Sequence, residues 1–236
     1  MDLALAQTTA QLFGSVLTLI PFAVASIFYL LYWLPLGATP STTTLFFKCL
    51  PMLFLWFFVY RQGVNRSYNR RILGGLVFSC VGDALLVYDH AYFVQGLLAF
   101  AVAHGLYSMA FGLRALRAKL GGILGVFSLV AYSFFYPVLE GTLKWLVTFY
   151  SLMLLLMVWA ALGRASQFVN NRKRHFAWAG FWVGGAMLFW LSDFVLAWNL
   201  FRSHVPWGNY IVMFTYYAAQ LGISLSVIIP KKSKEV

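Results

Sequence analysis

Long apolar stretches alternate with short polar connections along the whole chain. Each stretch has roughly 17 to 25 residues, which is enough to cross about 30 Å of hydrocarbon as a helix rising about 1.5 Å per residue. Their hydrophobicity is continuous rather than alternating, which favours α-helices over the shorter strands of a membrane β-barrel. The pattern predicts eight spans, near residues 13–34, 42–60, 72–88, 91–113, 121–138, 142–163, 175–200 and 209–229.

Composition places the chain among integral membrane proteins. Of the 236 residues, 62% are hydrophobic and 10% are charged, far from the usage of soluble globular domains. No linker, low-complexity tract or soluble domain separates the spans. We therefore predict an all-α, polytopic transmembrane bundle of eight helices that forms one domain over residues 1–236, with the first stretch serving as an uncleaved signal anchor.

The basic residues determine the predicted orientation. The net charge is +11, but the charge follows the loops instead of forming one patch, which argues against nucleic-acid binding. Fourteen of the seventeen basic residues lie after even-numbered spans or in the C-terminal tail, and the remaining three are Lys48, Lys144 and Arg202. The positive-inside rule then predicts that both termini and the even-numbered loops are cytoplasmic.

The third and seventh spans share a short similar sequence. Gly82-Asp83 and Ser192-Asp193 are each followed three residues later by a leucine. The two spans lie four apart, so a parallel 4+4 repeat would place both aspartates on equivalent helices of equal orientation. A match this short also arises by chance, so duplication is one interpretation of it.

Two acidic residues lie inside the predicted spans. Counted from the basic boundary at about 1.5 Å per residue, Asp83 is about 17 Å deep and Asp193 about 25 Å deep. A charge at the bilayer centre costs from about 3 to well above 10 kcal/mol, so each aspartate requires a partner or a function. The other four acids lie at termini or span edges: Asp2, Asp89, Glu140 and Glu235.

Polar side chains in other spans are candidate partners. Some share a helical face at the i+3 or i+4 spacing, as His104 does with Tyr107 and Tyr216 with Gln220. The full candidate set is Lys48, His104, Tyr107, Asn199, Tyr216, Tyr217 and Gln220.

Several simpler interpretations stand beside a catalytic one. The aspartates could form a structural pair, His104 could be an interhelical hydrogen-bonding residue, and Lys48 could extend to nearby lipid headgroups. The tyrosines could belong to interfacial belts. A transporter or lipid-binding channel with a proton relay through the same aspartates, and a purely structural scaffold, are alternative functions.

We predict no metal site and no cofactor. The four histidines do not converge, and no helix carries an HxxxH or HExxH pair. Cys49 and Cys80 lie inside spans and predict packing residues without a disulfide. A serine hydrolase lacks its G-x-S-x-G motif here, although Ser192 beside Asp193 is a useful control position.

Five motifs together resemble the lysoplasmalogenase family of eight-span membrane proteins. The resemblance runs from about residue 28 to 229, with one departure at Leu200, where family members often carry lysine. The motifs are Lys48-Cys49-Leu50-Pro51, Gly82-Asp83-x-x-Leu86, Phe93-x-x-Gly96-Leu97-x-x-Phe100-x-x-x-His104-x-x-Tyr107-x-x-x-Phe111-Gly112, Ser192-Asp193-x-x-Leu196-Ala197 and Thr215-Tyr216-Tyr217-Ala218-Ala219-Gln220.

The resemblance implies an ether hydrolase that cleaves the vinyl ether bond of lysoplasmalogens, with lysophospholipid and water as its substrates. It also implies an endoplasmic-reticulum membrane location; a homodimer is left open. The chemistry requires one protonated acid and one anion, as in glycoside hydrolysis. We therefore interpret Asp83 and Asp193 as an acid–base pair whose order of roles is open. Positioning roles would fall to His104, Tyr216 and Gln220, and Lys48 would pair with an aspartate or hold the lipid phosphate.

Overall fold

The computed structural model describes residues 14, 17–36, 39–113, 117–171 and 176–228, with side chains at 89–91, 168–171 and 176–178 outside the description. The described residues form α-helices joined by short turns, which confirms the all-α class. The eight α-helices within them are α1 (Ile20–Phe28), α2 (Thr42–Arg61), α3 (Ser67–Leu86), α4 (Asp89–Phe111), α5 (Ala118–Ser133), α6 (Gly141–Asn171), α7 (Phe176–Phe201) and α8 (Gly208–Leu225).

Five helical segments among the described residues are long and apolar enough to cross a membrane: Thr42–Arg61, Tyr92–Phe111, Gly141–Gln167, Ala179–Phe201 and Gly208–Ile228, the last of which includes the 3-10 turn after α8. The segment Ile20–Leu36 and helix α5 are apolar but shorter. Helix α3 begins with the polar sequence Ser-Tyr-Asn-Arg-Arg, which lowers its hydropathy. The chain is thus a multi-pass membrane protein, whereas the count of eight spans stays a prediction. Both chain ends lie outside the described residues.

Helix ends differ most from the predicted spans at α1 and α6. The first span is not one regular helix: α1 continues as a π-helical turn, Tyr29–Trp33, and a 3-10 turn, Leu34–Leu36. Helix α6 continues for two further turns past the predicted end at residue 163. Arg164 lies just past that predicted end; its guanidinium is 4.8 Å from the Tyr68 ring and donates to the backbone oxygen of Phe111 at 3.1 Å.

Six helices pack in a closed ring. Each of α2, α3, α4, α6, α7 and α8 contacts the next in that order, and α8 returns to α2. The two remaining helices are attached outside the ring, α1 on α2 and α5 on α6. A 4+4 repeat predicts this arrangement, since α1 and α5 would be equivalent, as would α2 and α6. The duplication itself stays a prediction.

Helices α7 and α8 approach closely through glycine. A Cβ atom built on Gly185 would lie 2.9 Å from Cγ1 of Ile223 and 3.0 Å from its backbone nitrogen. One on Gly222 would lie 3.2 Å from the Cα of Gly185. Small residues at a membrane helix crossing let backbones come into van der Waals contact, which is a main source of association in lipid.

We expect Gly185→Val to destabilise the fold by about 1 to 3 kcal/mol, because the new side chain must separate α7 from α8. Thermal unfolding of the purified protein in detergent measures the effect. Gly184→Val is the matched control: it makes the same change one position away, where a Cβ atom would meet nothing within 4 Å. Equal loss of stability in both variants would contradict the packing argument.

Candidate active site

A cavity of about 840 Å³ lies within the bundle, and all eight helices or their adjoining turns contribute to its wall. Its lining reaches Pro40, Val87, Phe135 and Phe201, which lie at or beside the connections that follow odd-numbered helices. The cavity therefore occupies the half of the bundle opposite the basic loops. Both Asp83 and Asp193 line it, so the structure brings the two predicted acids to one chamber.

Asp83 is held by one cation and one phenol. Its side chain lies in the last turns of α3, where the negative end of the helix dipole disfavours a carboxylate, and the residue is 3% exposed. The Nζ of Lys48 on α2 lies 3.8 Å from Oδ1, and the Tyr216 hydroxyl on α8 donates to Oδ2 at 2.5 Å. Side chains from α2 and α8 thus compensate this carboxylate.

Asp193 is held by a phenol and an imidazole. The Tyr150 hydroxyl of α6 donates to Oδ2 at 2.5 Å, and Nε2 of His104 on α4 lies 3.5 Å from the same oxygen. Nε2 also lies 3.0 Å from the Tyr150 oxygen. Because Tyr150 gives its proton to Asp193, Nε2 of His104 carries the hydrogen and donates to Tyr150. His104, Tyr150 and Asp193 therefore form one hydrogen-bonded group.

Aromatic rings lie between the hydrogen-bond partners of the two aspartates. The Phe189 ring centroid lies 5.4 Å from that of Tyr216 and 4.7 Å from that of His104, so it stands between a partner of each aspartate. Phe100 packs at 6.0 Å from Tyr216. A Cβ atom on Gly82 would lie 2.6 Å from the Phe100 ring, so glycine beside Asp83 makes room for it. The aspartates thus face one cavity with separate hydrogen-bond partners.

The other predicted site residues lie behind the cavity wall or away from it. Tyr107 donates to Oε1 of Gln220 at 2.8 Å, in a fully buried polar contact between α4 and α8. The Tyr217 hydroxyl donates to the backbone oxygen of Lys48 at 2.8 Å and so fixes the start of that side chain. Asn199 accepts from the backbone nitrogen of Val205 at 2.8 Å, which supports the α7–α8 connection.

Tyr150 is the site residue that sequence reasoning missed. It is one of thirteen tyrosines, and nothing in its local sequence distinguishes it from an interfacial or packing tyrosine. Its importance comes from the contact between α6 and α7, which positions its hydroxyl on Asp193. Ser192, the control position, donates to the backbone oxygen of Val212 at 3.0 Å.

The fold and site together define a helical membrane protein in which one buried carboxylate, Asp83, and one partly buried carboxylate, Asp193, line an amphipathic chamber. Residues 43–227 match the model of the YhhN family, and the chain belongs to that family. Similar proteins include lysoplasmalogenase TMEM86A of Bos taurus, 39% identical over 89% of this chain and 88% of that protein. Lysoplasmalogenase TMEM86B of Sus scrofa is 39% identical over 88% of this chain and 84% of that protein.

The human lysoplasmalogenase TMEM86A is 37% identical over 89% of this chain and 88% of that protein. The resemblance read from the motifs is therefore confirmed. No solved structure is significantly similar to the chain.

The Tyr216–Asp83 hydrogen bond should stabilise the fold measurably. We expect Tyr216→Phe to lower the free energy of unfolding by about 1.5 to 3 kcal/mol, because a buried carboxylate loses its donor. Tyr60→Phe on the exposed face of α2 is the control for the loss of a hydroxyl.

A double-mutant cycle with Asp83→Asn isolates the pair. The two substitutions together should cost less than their sum by at least about 1 kcal/mol. Strict additivity of the two unfolding free energies would exclude the contact. The measurement is unfolding of purified protein in detergent.

Proposed function

We propose that this protein hydrolyses the vinyl ether bond of 1-alkenyl lysophospholipids. The products are a fatty aldehyde and glycerophosphoethanolamine or glycerophosphocholine. Membership of a family whose relatives are named lysoplasmalogenase makes the chain an ether hydrolase. The observation that carries the proposal is the pair of phenol-bonded carboxylates facing one largely apolar cavity.

The reaction needs two groups in different protonation states. A proton transferred to the β-carbon of the vinyl ether creates an oxocarbenium ion, which water captures as a hemiacetal. The hemiacetal then collapses to aldehyde and alcohol, and the proton returns to the enzyme, so the net consumption is one water. An acid and an anion on either side of the reacting carbon perform the same roles in glycoside hydrolysis.

The contacts of the two aspartates support an assignment of these roles. Asp83 has the ammonium of Lys48 beside it, which balances a full negative charge. Asp193 has the neutral hydroxyl of Tyr150 and His104 as partners, through which a proton can be held and returned. We therefore assign the anion that stabilises the oxocarbenium ion to Asp83 and the proton donor to Asp193.

The cavity suits a single-chain lipid. Lys48, Asp83 and Asp193 form polar patches on its wall, while residues of α4, α6 and α7 supply a broad apolar surface. A lysophospholipid has the same division, with a polar glycerophosphate end beside the ether and one hydrocarbon chain. Location in the endoplasmic-reticulum membrane is part of the proposal, since the substrate is a membrane lipid.

We expect Asp83→Asn and Asp193→Asn each to reduce aldehyde release to below about a tenth of the unmodified rate, because each removes one of the two required charge states. Aldehyde formed from a purified lysoplasmalogen by protein in detergent is the measured quantity. Expression and gel-filtration behaviour should remain unchanged. Retention of more than that fraction by either variant would refute the acid–base pair.

Ser192→Ala serves as the matched control, because it alters the residue beside Asp193 and leaves both carboxylates intact. It should retain most of the activity. Detergent abolishes any transmembrane gradient, so turnover under these conditions also distinguishes hydrolysis from gradient-driven transport. An unmodified protein that releases no aldehyde from any lysoplasmalogen would overturn the proposed function as a whole.

A further inference from the structure

Helix α5 is attached to the bundle along one side. It packs against α6, and none of its residues Ala118–Ser133 is buried. Phe127 is 52% exposed and Phe134, just past the end of the helix, is 43% exposed. In a membrane these surfaces face lipid, so α5 lies at the outer edge of the ring near the cavity.

Aromatic side chains close the gap between α5 and α7. The rings of Phe127 and Trp190 lie 5.1 Å apart, and those of Phe135 and Phe194 lie 5.6 Å apart. Phe134 packs against Trp198 at 5.8 Å. We call these six residues the aromatic seam. Rings rather than packed backbones join the two helices here, so side-chain rotation alone can widen the seam.

The seam is also a wall of the cavity. Phe135, Trp190 and Phe194 line the chamber that contains Asp193, and so do Ala131 and Tyr132 on the inner face of α5. A molecule that parts the rings therefore passes directly from lipid to the carboxylates.

The seam region has an apolar character that selects a hydrocarbon. Its six side chains carry no charge, and the Tyr132 hydroxyl is engaged with Oγ1 of Thr148 at 2.5 Å. The indole nitrogen of Trp198 donates to Oγ of Ser203 at 3.1 Å. The charged side chains of the cavity wall are instead Lys48, Asp83 and Asp193. These charged side chains suit a polar headgroup, whereas the uncharged rings of the seam suit a hydrocarbon chain.

We propose that the aromatic seam between α5 and α7 is the entry route and binding subsite for the hydrocarbon chain of the lipid substrate. This inference rests on the proposed vinyl-ether hydrolysis and adds the path by which the chain reaches the site. The chain enters sideways from the membrane and remains between the rings while the ether bond lies at the aspartates.

Cross-linking tests the route directly. Phe127→Cys with Trp190→Cys places one thiol on each side of the seam, and a short reducible bifunctional thiol reagent joins them. We expect the cross-link to lower hydrolysis of a long-chain lysoplasmalogen about tenfold or more, with recovery on reduction. A short-chain analogue with the same headgroup should lose less than about threefold, because its chain needs little of the subsite.

Gly121→Cys with Trp159→Cys is the matched control. A Cβ atom on Gly121 would lie 2.3 Å from the Trp159 ring, so this pair joins α5 to α6, which already pack together. Its cross-link should leave both substrates unaffected, and the unmodified chain with the same reagent controls for Cys49 and Cys80. An unchanged long-chain rate after complete seam cross-linking overturns the proposal, and so does equal loss of both substrates.

A single substitution gives a second test without reagents. Phe194→Ala removes the ring that stacks on Trp190 at 5.4 Å, and gel filtration establishes that the variant is folded. We expect KM for the long-chain substrate to rise about fivefold or more, and by at least about threefold more than KM for the short-chain analogue. A KM that rises by the same factor for both substrates would contradict a subsite for the hydrocarbon chain. Absence of turnover in the unmodified protein would instead refute the proposed function.

Discussion

The closure of the helical ring depends on the contacts that compensate the negative charge of Asp83. Its carboxylate draws in a phenol from α8 and an ammonium from α2, and these two helices are the pair that closes the ring. Tyr217 adds a second polar tie between them through the backbone of Lys48. Lipid provides no hydrophobic force between helices, so packing and polar contacts such as these must supply the association. The contacts of the proposed catalytic residue Asp83 are thus the same contacts that close the ring of helices.

Asp193 is bound by side chains from the helices that correspond to those around Asp83, but the side chains themselves differ. Its partners come from α4 and α6, while those of Asp83 come from α8 and α2, so the helix positions correspond across the possible repeat. The side chains do not correspond: a lysine serves one carboxylate, and a histidine and its linked tyrosine serve the other. Corresponding helices that present different side chains can hold two carboxyl groups in different protonation states. Acid–base chemistry requires such a difference.

The sequence predicted what depends on local patterns. Hydrophobic length located α2, α4 and α7 to within a few residues, and the cost of a buried charge singled out Asp83 and Asp193. It did not predict the division of the first span or the extension of α6. It also did not predict Tyr150 as a site residue. A tyrosine becomes a carboxylate partner only through the packing of two helices, and no spacing along one helix encodes that.

The location of the cavity has a consequence for the products. The chamber lies at the end of the bundle that holds the odd-numbered connections, and the aromatic seam forms its side. The proposed hydrolysis would divide one amphipathic molecule into an apolar aldehyde and a polar glycerophosphodiester, which prefer different surroundings. In the proposed reaction, the seam gives the aldehyde a path toward lipid, and the connections lie nearest to the aqueous side for the polar product. Cleavage of the ether bond would then also remove the amphipathic character of the substrate.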